Sequence, residues 1–218
     1  MTKQEMISSI LELEWDMFHN VNGDTRADCQ ENRVTFEIMR RAQYEAWSEE
    51  AVASFHADIT SAKQDGRNLS REKYIRMMKS TDPQGYDYFK KDLPELTEAQ
   101  IELVQKLWEK YLSQTERMRE KYPILALGGR PLRASEEVCG MTSIETYQTS
   151  ETMTYSENTL RALLSHLEAL EAQGIDLAYE IQKNTVLGLG YPSMDAAEAA
   201  MMQQLLQVEG ESEFCCGN

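Results

Sequence analysis

Apolar residues recur along most of this chain at spacings of three and four, which is the period of an amphipathic α-helix. No stretch alternates strictly between apolar and polar residues, and no β-hairpin signal appears. The pattern therefore predicts an all-α protein. We expect a single-domain multi-helix bundle over residues 1–210, followed by a short C-terminal tail over residues 211–218.

Capping signals and turn residues set the expected helix boundaries. The clearest helix begins where Thr97 and Gln100 have the spacing of a capping box. Thr142 and Glu145 show the same spacing at the start of a later helix, and Ser70 is expected to cap a shorter one. The expected helices cover about residues 3–20, 27–47, 49–63, 71–79, 97–122, 142–155, 156–174, 175–187 and 194–208.

Two segments interrupt the helical pattern. Residues 82–96 contain Pro83, Gly85 and Pro94 and are expected to form a loop. Residues 121–141 are expected to form an irregular loop, and with the helix that follows they mix glycine, arginine, threonine and tyrosine. Polar groups on an aromatic scaffold suit a ligand pocket. We therefore expect the binding site near this second segment.

The net charge of the chain limits the classes of molecule that it can bind. The chain has 22 Lys and Arg residues against 37 Asp and Glu residues, which gives a net charge of −15. A nucleic acid backbone or an anionic membrane surface would be repelled, so neither is an expected partner. The N-terminal residues lack the apolar core of a signal peptide, and the expected location is cytoplasmic. The sequence leaves the oligomeric state open.

The four cysteines are too few and too unevenly spaced for a disulfide framework, which fits a reducing compartment. Cys215 and Cys216 are adjacent near the C-terminus, where free thiols in a frayed tail are the simpler interpretation. A four-thiolate zinc site with Cys29 and Cys139 would need a CxxC spacing that the chain lacks. We therefore predict no metal site.

Two carboxylates fall within apolar helical faces. In a helical projection, Glu14 lies near the centre of the apolar arc of the first helix, and Glu151 lies between Tyr147 and Tyr155 in a later one. A buried carboxylate has to be paired, bound to a metal or protonated. One interpretation is an ion pair with an arginine, and the other is a general acid or base in a site.

Arginines and an amide accompany these carboxylates. Gln43 falls within the apolar face of the second helix, and Arg40 flanks Trp47 on the same helix. Gln43 would either bond a neighbouring backbone group or, with Arg40, bind the carboxylate or phosphate of a ligand. Arg130 and Arg133 precede a helix start, where they would bind an anion or neutralise nearby glutamates.

The histidines give a weaker signal. Asp16 and His19 project away from the apolar side of the first helix, and a ferritin-like di-metal site lacks its second Glu-x-x-His pair. His166 lies at the edge of a leucine stripe, where packing is the simpler role. A non-haem metal site would require Glu14, Glu151 and His166 to converge.

Several segments carry a family resemblance. They read NVNGDTRADCQENRVTFEIMRRAQYEAW, DGRNL followed by EKYIRMM, KYPILALGGRP and TSIETYQTSETMTYS. Together they resemble a microbial protein family catalogued as domain of unknown function 4125, over about residues 6–198. The resemblance implies a single-domain microbial protein and transfers no catalytic residue.

The residues together favour a small-molecule enzyme of lyase, cyclase or hydrolase type, in metabolite biosynthesis, that acts on an amino-acid-like or carboxylate substrate. The expected catalytic residues are Glu14, Glu151 and Tyr147. No cofactor is assigned. One alternative is a non-catalytic helical interaction or ligand-binding protein, and another is a non-haem metal-dependent enzyme. The expected substrate-binding residues are Arg40, Gln43, Trp47, Tyr122, Arg130, Arg133 and Tyr155.

Overall fold

The computed structural model describes residues 1–21, 31–127, 129–138 and 141–215, with side chains described up to residue 207 of the last helix. In these ranges the chain forms helices and no β-strand, apart from one isolated bridge between Val138 and Met141. The all-α prediction is confirmed. The helices are α1 (Lys3–His19), α2 (Arg33–Ala46), α3 (Glu49–Gln64), α4 (Leu69–Thr81), α5 (Pro83–Phe89), α6 (Glu98–Lys121), α7 (Pro123–Leu127), α8 (Ile144–Thr152), α9 (Glu157–Glu171), α10 (Leu177–Gly188) and α11 (Met194–Cys215).

Several predicted boundaries are confirmed by side-chain caps. Thr97 and Gln100 form the capping box that opens α6, and Pro123 begins a new short helix after α6 ends. Ser156 caps α9. Gly174 follows α9 with a φ of 72°, a left-handed conformation that glycine adopts without steric cost.

The prediction of a loop over residues 82–96 is wrong for its first half. Residues Pro83–Phe89 form α5, and a short 3-10 helix, Lys90–Asp92, follows directly. The reason is the position of the proline: at the first helical residue its missing N–H costs no hydrogen bond, and its fixed φ suits a helix. The side chain of Asp82 caps the new helix by accepting from the backbone N–H of Gly85 at 3.0 Å.

Two predicted caps belong to neighbouring residues instead. The cap of α8 is Ser143, whose hydroxyl accepts from the backbone N–H of Thr146, because the hydroxyl of Thr142 is bonded to Arg130. The cap of α4 is Asn68 rather than Ser70, since its side-chain oxygen reaches the N–H of Arg71 at 2.9 Å. The predicted start of the second helix at residue 27 lies outside the described residues.

The main core is formed by α1, α2, α3, α6 and α9, with further contributions from Leu69 of α4, Leu177 of α10 and Tyr155. At its centre four aromatic rings pack against one another: Tyr44 meets Trp47 at 5.0 Å between ring centroids, and Phe55 meets Tyr155 at 4.7 Å. Such pairs stabilise a core beyond the area that they bury. A smaller apolar cluster around Tyr122 joins the end of α6 to α10 and α11. Within the described ranges no helix is long and apolar enough to span a membrane.

Candidate functional site

Four helices of the bundle bring one charged side chain each to the same point. Every one of these residues occupies a position in the buried face of its helix, so packing the apolar faces together also brings the charges together. Lys73 is the clearest case of a charged residue in a buried helical face, since Leu69 and Met77, four residues to either side, are both buried. The four residues are Glu14 of α1, Arg40 of α2, Lys73 of α4 and Glu151 of α8.

Arg40 is the centre of the buried network. Its Nε and Nη2 donate to the two carboxylate oxygens of Glu14 at 3.0 and 2.6 Å. Its Nη1 donates to Gln43 Oε1 at 3.0 Å and to Glu151 Oε1 at 2.8 Å, and Nη2 also donates to the hydroxyl of Tyr44. A guanidinium carries five N–H donors. All five are therefore used within the protein.

The carboxylate of Glu151 is equally well satisfied. Its Oε1 accepts from Arg40, from the hydroxyl of Tyr155 at 2.8 Å and from Gln43 Nε2 at 3.3 Å. Its Oε2 accepts from Lys73 Nζ at 3.0 Å. Only 6% of the Glu151 side chain is exposed, and Arg40 and Lys73 are exposed by 12% and 11%. Two cations and two carboxylates thus balance in one buried cluster, which we call the Arg40 network: Glu14, Arg40, Gln43, Tyr44, Lys73, Glu151 and Tyr155.

Electrostatics fix the protonation states inside the network. Burial alone would raise the pKa of the Glu151 carboxyl, but Arg40 and Lys73 outweigh burial and hold this pKa well below its usual range. Burial would lower the pKa of Lys73, but Glu151 and Tyr147 raise it above its ordinary value. The pKa of Tyr155 is raised by burial and then by Glu151. Near neutral pH, Glu151 and Lys73 are therefore both charged.

A cleft of about 610 Å³ opens beside the Arg40 network. Glu14, Arg40 and Lys73 form its charged floor, and the remaining wall is mostly aromatic and aliphatic. This combination of an apolar wall and a few convergent polar groups is typical of small-molecule sites. The aromatic and aliphatic wall residues are Phe18, Phe36, Met39, Tyr74, Tyr111, Ile144 and Tyr147, and the polar residues Asn32, Thr35, Ser70, Arg130 and Gln148 also line the cleft. We call this space the interhelical cleft.

Hydrogen-bond donors remain available at the rim of the cleft. Lys73 Nζ donates to the hydroxyl oxygen of Tyr147 at 2.8 Å, so that oxygen is an acceptor and its own proton points elsewhere. Arg130 lies over the Tyr147 ring at 5.3 Å and donates to Thr142. Among the described residues no carboxylate pairs with Arg130. The rim therefore carries a cation and a phenol whose donors are incompletely used.

The structure brings together most of the residues that the sequence singled out. Glu14, Arg40, Gln43, Glu151 and Tyr155 meet in the Arg40 network. Tyr147 and Arg130 lie at the cleft. Trp47 packs against the rings of Tyr44, Phe55 and Tyr155 behind the network.

Two expected binding residues lie elsewhere. Tyr122 belongs to the separate apolar cluster with Val186 and Met194, because α6 carries it past the end of the cleft. Arg133 pairs with Glu116 in an exposed ion pair and does not line the cleft. Residues of an irregular loop cannot be placed by helical projection, so sequence reasoning had no way to separate Arg130 from Arg133.

Sequence reasoning missed Lys73, Tyr111 and Gln148. The sequence signal for Lys73 is its position midway between Leu69 and Met77, two apolar residues that lie four residues to either side of it. Tyr111 and Gln148 both line the cleft, yet a tyrosine or glutamine on a helical face is more often simple packing.

The positions of the possible metal ligands do not support the non-haem metal alternative. Within the described part of the chain no three His, Cys, Asp or Glu side chains are placed to hold a metal ion. His166 is bonded to the carbonyl of Ala46 at 2.9 Å and does not join Glu14 and Glu151. The hypothetical zinc ligands Cys29, Cys139 and Cys216, and the side chain of Cys215, lie outside the described residues.

Comparison with known proteins gives a family and no activity. The family model described as "Protein of unknown function (DUF4125)" matches residues 4–199. The match begins in α1 and ends in α11, so it includes the whole Arg40 network and the interhelical cleft. No curated protein and no solved structure matches the chain. The resemblance noted in the sequence is confirmed, and the chain belongs to the DUF4125 family.

Proposed function

We propose that the chain binds a small organic anion with an apolar body in the interhelical cleft. One observation carries the proposal: the donors at the rim exceed the acceptors that the protein supplies to them. Arg130 has no carboxylate partner in the described ranges, and the Tyr147 hydroxyl accepts from Lys73 without donating to a described group. Lys73 has three N–H donors and uses two of them. A carboxylate or phosphate matches this set.

The charge balance strengthens this choice of ligand. Within the Arg40 network the charges of Glu14 and Glu151 are already offset by Arg40 and Lys73, so neither carboxylate is left to neutralise Arg130. The whole chain carries a net charge of −15, which makes an uncompensated cation at a cleft unusual. An anionic ligand would complete the pairing.

The apolar wall of the cleft places a second requirement on the ligand. Phe18 and Phe36 stack at 5.5 Å between centroids, and Met39 beside them is 50% exposed. An exposed apolar surface inside a concave site favours a ligand that covers it. The ligand should therefore carry an aromatic or aliphatic body beside its charged group.

The lyase, cyclase or hydrolase chemistry expected from the sequence requires a group that exchanges a proton with the ligand. Tyr147 suits this role better than Glu151, because its hydroxyl lines the cleft and keeps a free proton, whereas Glu151 is buried and accepts four hydrogen bonds. We assign Glu14, Arg40 and Glu151 the role of holding Lys73 and Tyr147 in position. A cytoplasmic metabolite with a carboxylate is the expected class of substrate.

Isothermal titration calorimetry with matched probes tests the binding proposal. We expect 3-phenylpropanoate to bind and its neutral amide, 3-phenylpropanamide, to bind at least about tenfold more weakly, because only the acid forms charge-assisted hydrogen bonds. Phenyl phosphate in parallel distinguishes a carboxylate site from a phosphate site. Failure of both anions to bind would refute the proposal.

Two arginines of the same loop provide a matched pair of variants. Arg130→Gln should weaken binding of the preferred anion by about tenfold, since it removes the rim cation. Arg133→Gln is the control, because Arg133 is exposed and pairs with Glu116 away from the cleft. Equal losses in both variants would show a general effect of charge and not a site.

A further inference from the structure

A second cavity of about 60 Å³ adjoins the interhelical cleft. Its wall is largely apolar and is formed by α6, α8, α9 and α10, with Trp108, Leu163, Leu167 and Ile181 among the contributing residues. Tyr111 and Gln148 line both spaces, and they are the residues that the two linings share. These two side chains therefore belong to the walls of both cavities, and we call this shared boundary the junction.

Both shared side chains have unused hydrogen-bonding capacity. In the described ranges no group bonds to the hydroxyl of Tyr111 or to the side-chain amide of Gln148. Burial and then the charge of Glu151 raise the pKa of Tyr111 to about 12, so its hydroxyl remains a donor near neutral pH. A partly buried polar group without a protein partner costs free energy unless water or a ligand satisfies it.

The size of the second cavity limits what can enter it. An apolar cavity of ~150 Å³ is needed to hold a benzene ring, so a space less than half as large takes a short aliphatic group of roughly two to four carbons. Tyr147 and Gln148 both line the interhelical cleft, so a ligand whose charged group lies at Tyr147 can extend along the cleft to the junction at Gln148. A polar group should come next in the ligand, and the aliphatic group after it.

We infer that the ligand is an acyl-amide carboxylate, in which an amide joins the anionic end to a short aliphatic acyl group. This inference rests on the proposed function, because the carboxylate accepts from Arg130 and Tyr147 at the rim and from Lys73 at the floor of the cleft. The Tyr111 hydroxyl donates to the amide carbonyl, and the Gln148 carboxamide oxygen accepts from the amide N–H. The acyl chain enters the second cavity.

Calorimetric titration with N-acylglycines tests the inference on the full chain. N-acetylglycine, N-butanoylglycine and N-hexanoylglycine differ only in acyl length, and octanoate is the hydrocarbon acid for comparison. We expect N-butanoylglycine to bind about tenfold or more tightly than N-acetylglycine, since each buried methylene adds about fourfold. N-hexanoylglycine should gain little more, because its chain exceeds the second cavity. Octanoate should bind more weakly than N-hexanoylglycine.

Variants separate the amide contacts from the apolar cavity. Tyr111→Phe and Gln148→Leu keep the side-chain size and should each remove most of the advantage of N-hexanoylglycine over octanoate. Thr152→Leu adds volume at the wall of the second cavity and should abolish the gain from N-acetylglycine to N-butanoylglycine while N-acetylglycine binds unchanged. The controls are Tyr88→Phe and Gln105→Leu at exposed positions outside both linings. Circular dichroism checks that every variant is folded.

The outcomes distinguish this inference from the proposed function. If carboxylates bind and depend on Arg130, but neither acyl length nor the three variants changes affinity, the inference is wrong and the proposed function stands. If the gain with acyl length survives Thr152→Leu and is lost in Phe36→Leu, the acyl chain lies on the aromatic wall and the inference is again wrong. If phenyl phosphate binds the wild-type chain but no carboxylate does, the inference is wrong and the proposed function stands. If neither a carboxylate nor phenyl phosphate binds, both fail.

Discussion

Arg40 and Arg130 both face the interhelical cleft, and they differ in what they are bonded to. Arg40 is buried, and each of its five N–H donors has an acceptor supplied by the protein. Arg130 is exposed, lies over the ring of Tyr147 and donates to Thr142 alone. A saturated donor cannot bind a ligand without breaking an existing bond, so we propose a structural role for Arg40 and a binding role for Arg130. The count of unused donors separates the two roles better than burial or charge does.

The largest change in stability should follow removal of the central guanidinium, that of Arg40, and this change tests the comparison most directly. Arg40→Met leaves Glu14 without its cationic partner and Glu151 with Lys73 alone, and we expect a loss of about 3–5 kcal/mol in the free energy of unfolding. Urea denaturation measures this loss. Arg33→Met is the control, because the ion pairs of Arg33 on the same helix are solvent-exposed. Similar losses in the two variants would show that the buried network contributes no more to the free energy of unfolding than the exposed ion pairs do.

The next effect concerns the protonation of Glu151. Glu151→Gln should cost about 3 kcal/mol at neutral pH, because Lys73 then loses its charged partner. Folding lowers the pKa of Glu151, so the ionised carboxylate stabilises the fold fully above the unfolded-state pKa of about 4.3, and this contribution is lost as the pH falls toward the folded-state value.

Unfolding curves of wild type and Glu151→Gln across a pH series test this sign. The difference in unfolding free energy between them should be constant near neutral pH and should shrink below about pH 4. A difference that grows on acidification would mean that Glu151 is protonated in the folded protein, as expected of a general acid. A metabolite that stays bound to the destabilised variant would further support a structural role.

The smallest effect on stability should come from a substitution at the rim of the cleft. Tyr147→Phe removes a hydroxyl that accepts from Lys73 but leaves the ring under Arg130, so the free energy of unfolding should fall by only about 1 kcal/mol. Binding of the preferred anion should nevertheless weaken by about tenfold, because the free proton of the phenol is lost. The expected signature is therefore a large loss of affinity with a small loss of stability. The reverse pattern would place Tyr147 with Arg40 as a structural residue.

Much of the fold and part of the site could be predicted from the sequence. The period of the apolar residues gave the helices, and the same period identified Glu151 as a buried carboxylate and Glu14 as a largely buried one with 12% of its side chain exposed. The ion-pair interpretation of these carboxylates is the arrangement that the structure shows. Their assignment as catalytic residues stays a prediction, since no measurement of activity bears on it.

The errors in the predicted site have a common physical origin. A helical projection gives the direction of a side chain relative to its own helix, but the position of that helix in the bundle depends on contacts with residues far away in the chain. Tyr122 and Tyr155 both follow the end of a helix, yet one lies in the separate cluster and the other in the Arg40 network. The loop prediction at residues 82–96 failed for a local reason, the position of Pro83 at the start of a helical turn.

The sequence by itself determined the helical class, most helix ends and the burial of Glu151, because these depend on local periodicity and capping. Only the tertiary structure decided that Lys73 pairs with Glu151, that Arg130 and not Arg133 lines the cleft, and that Tyr111 and Gln148 line both cavities. These facts depend on the distances between residues on different helices. Hydrogen bonds and ion pairs act over about 3–4 Å, a scale that only the packed bundle defines.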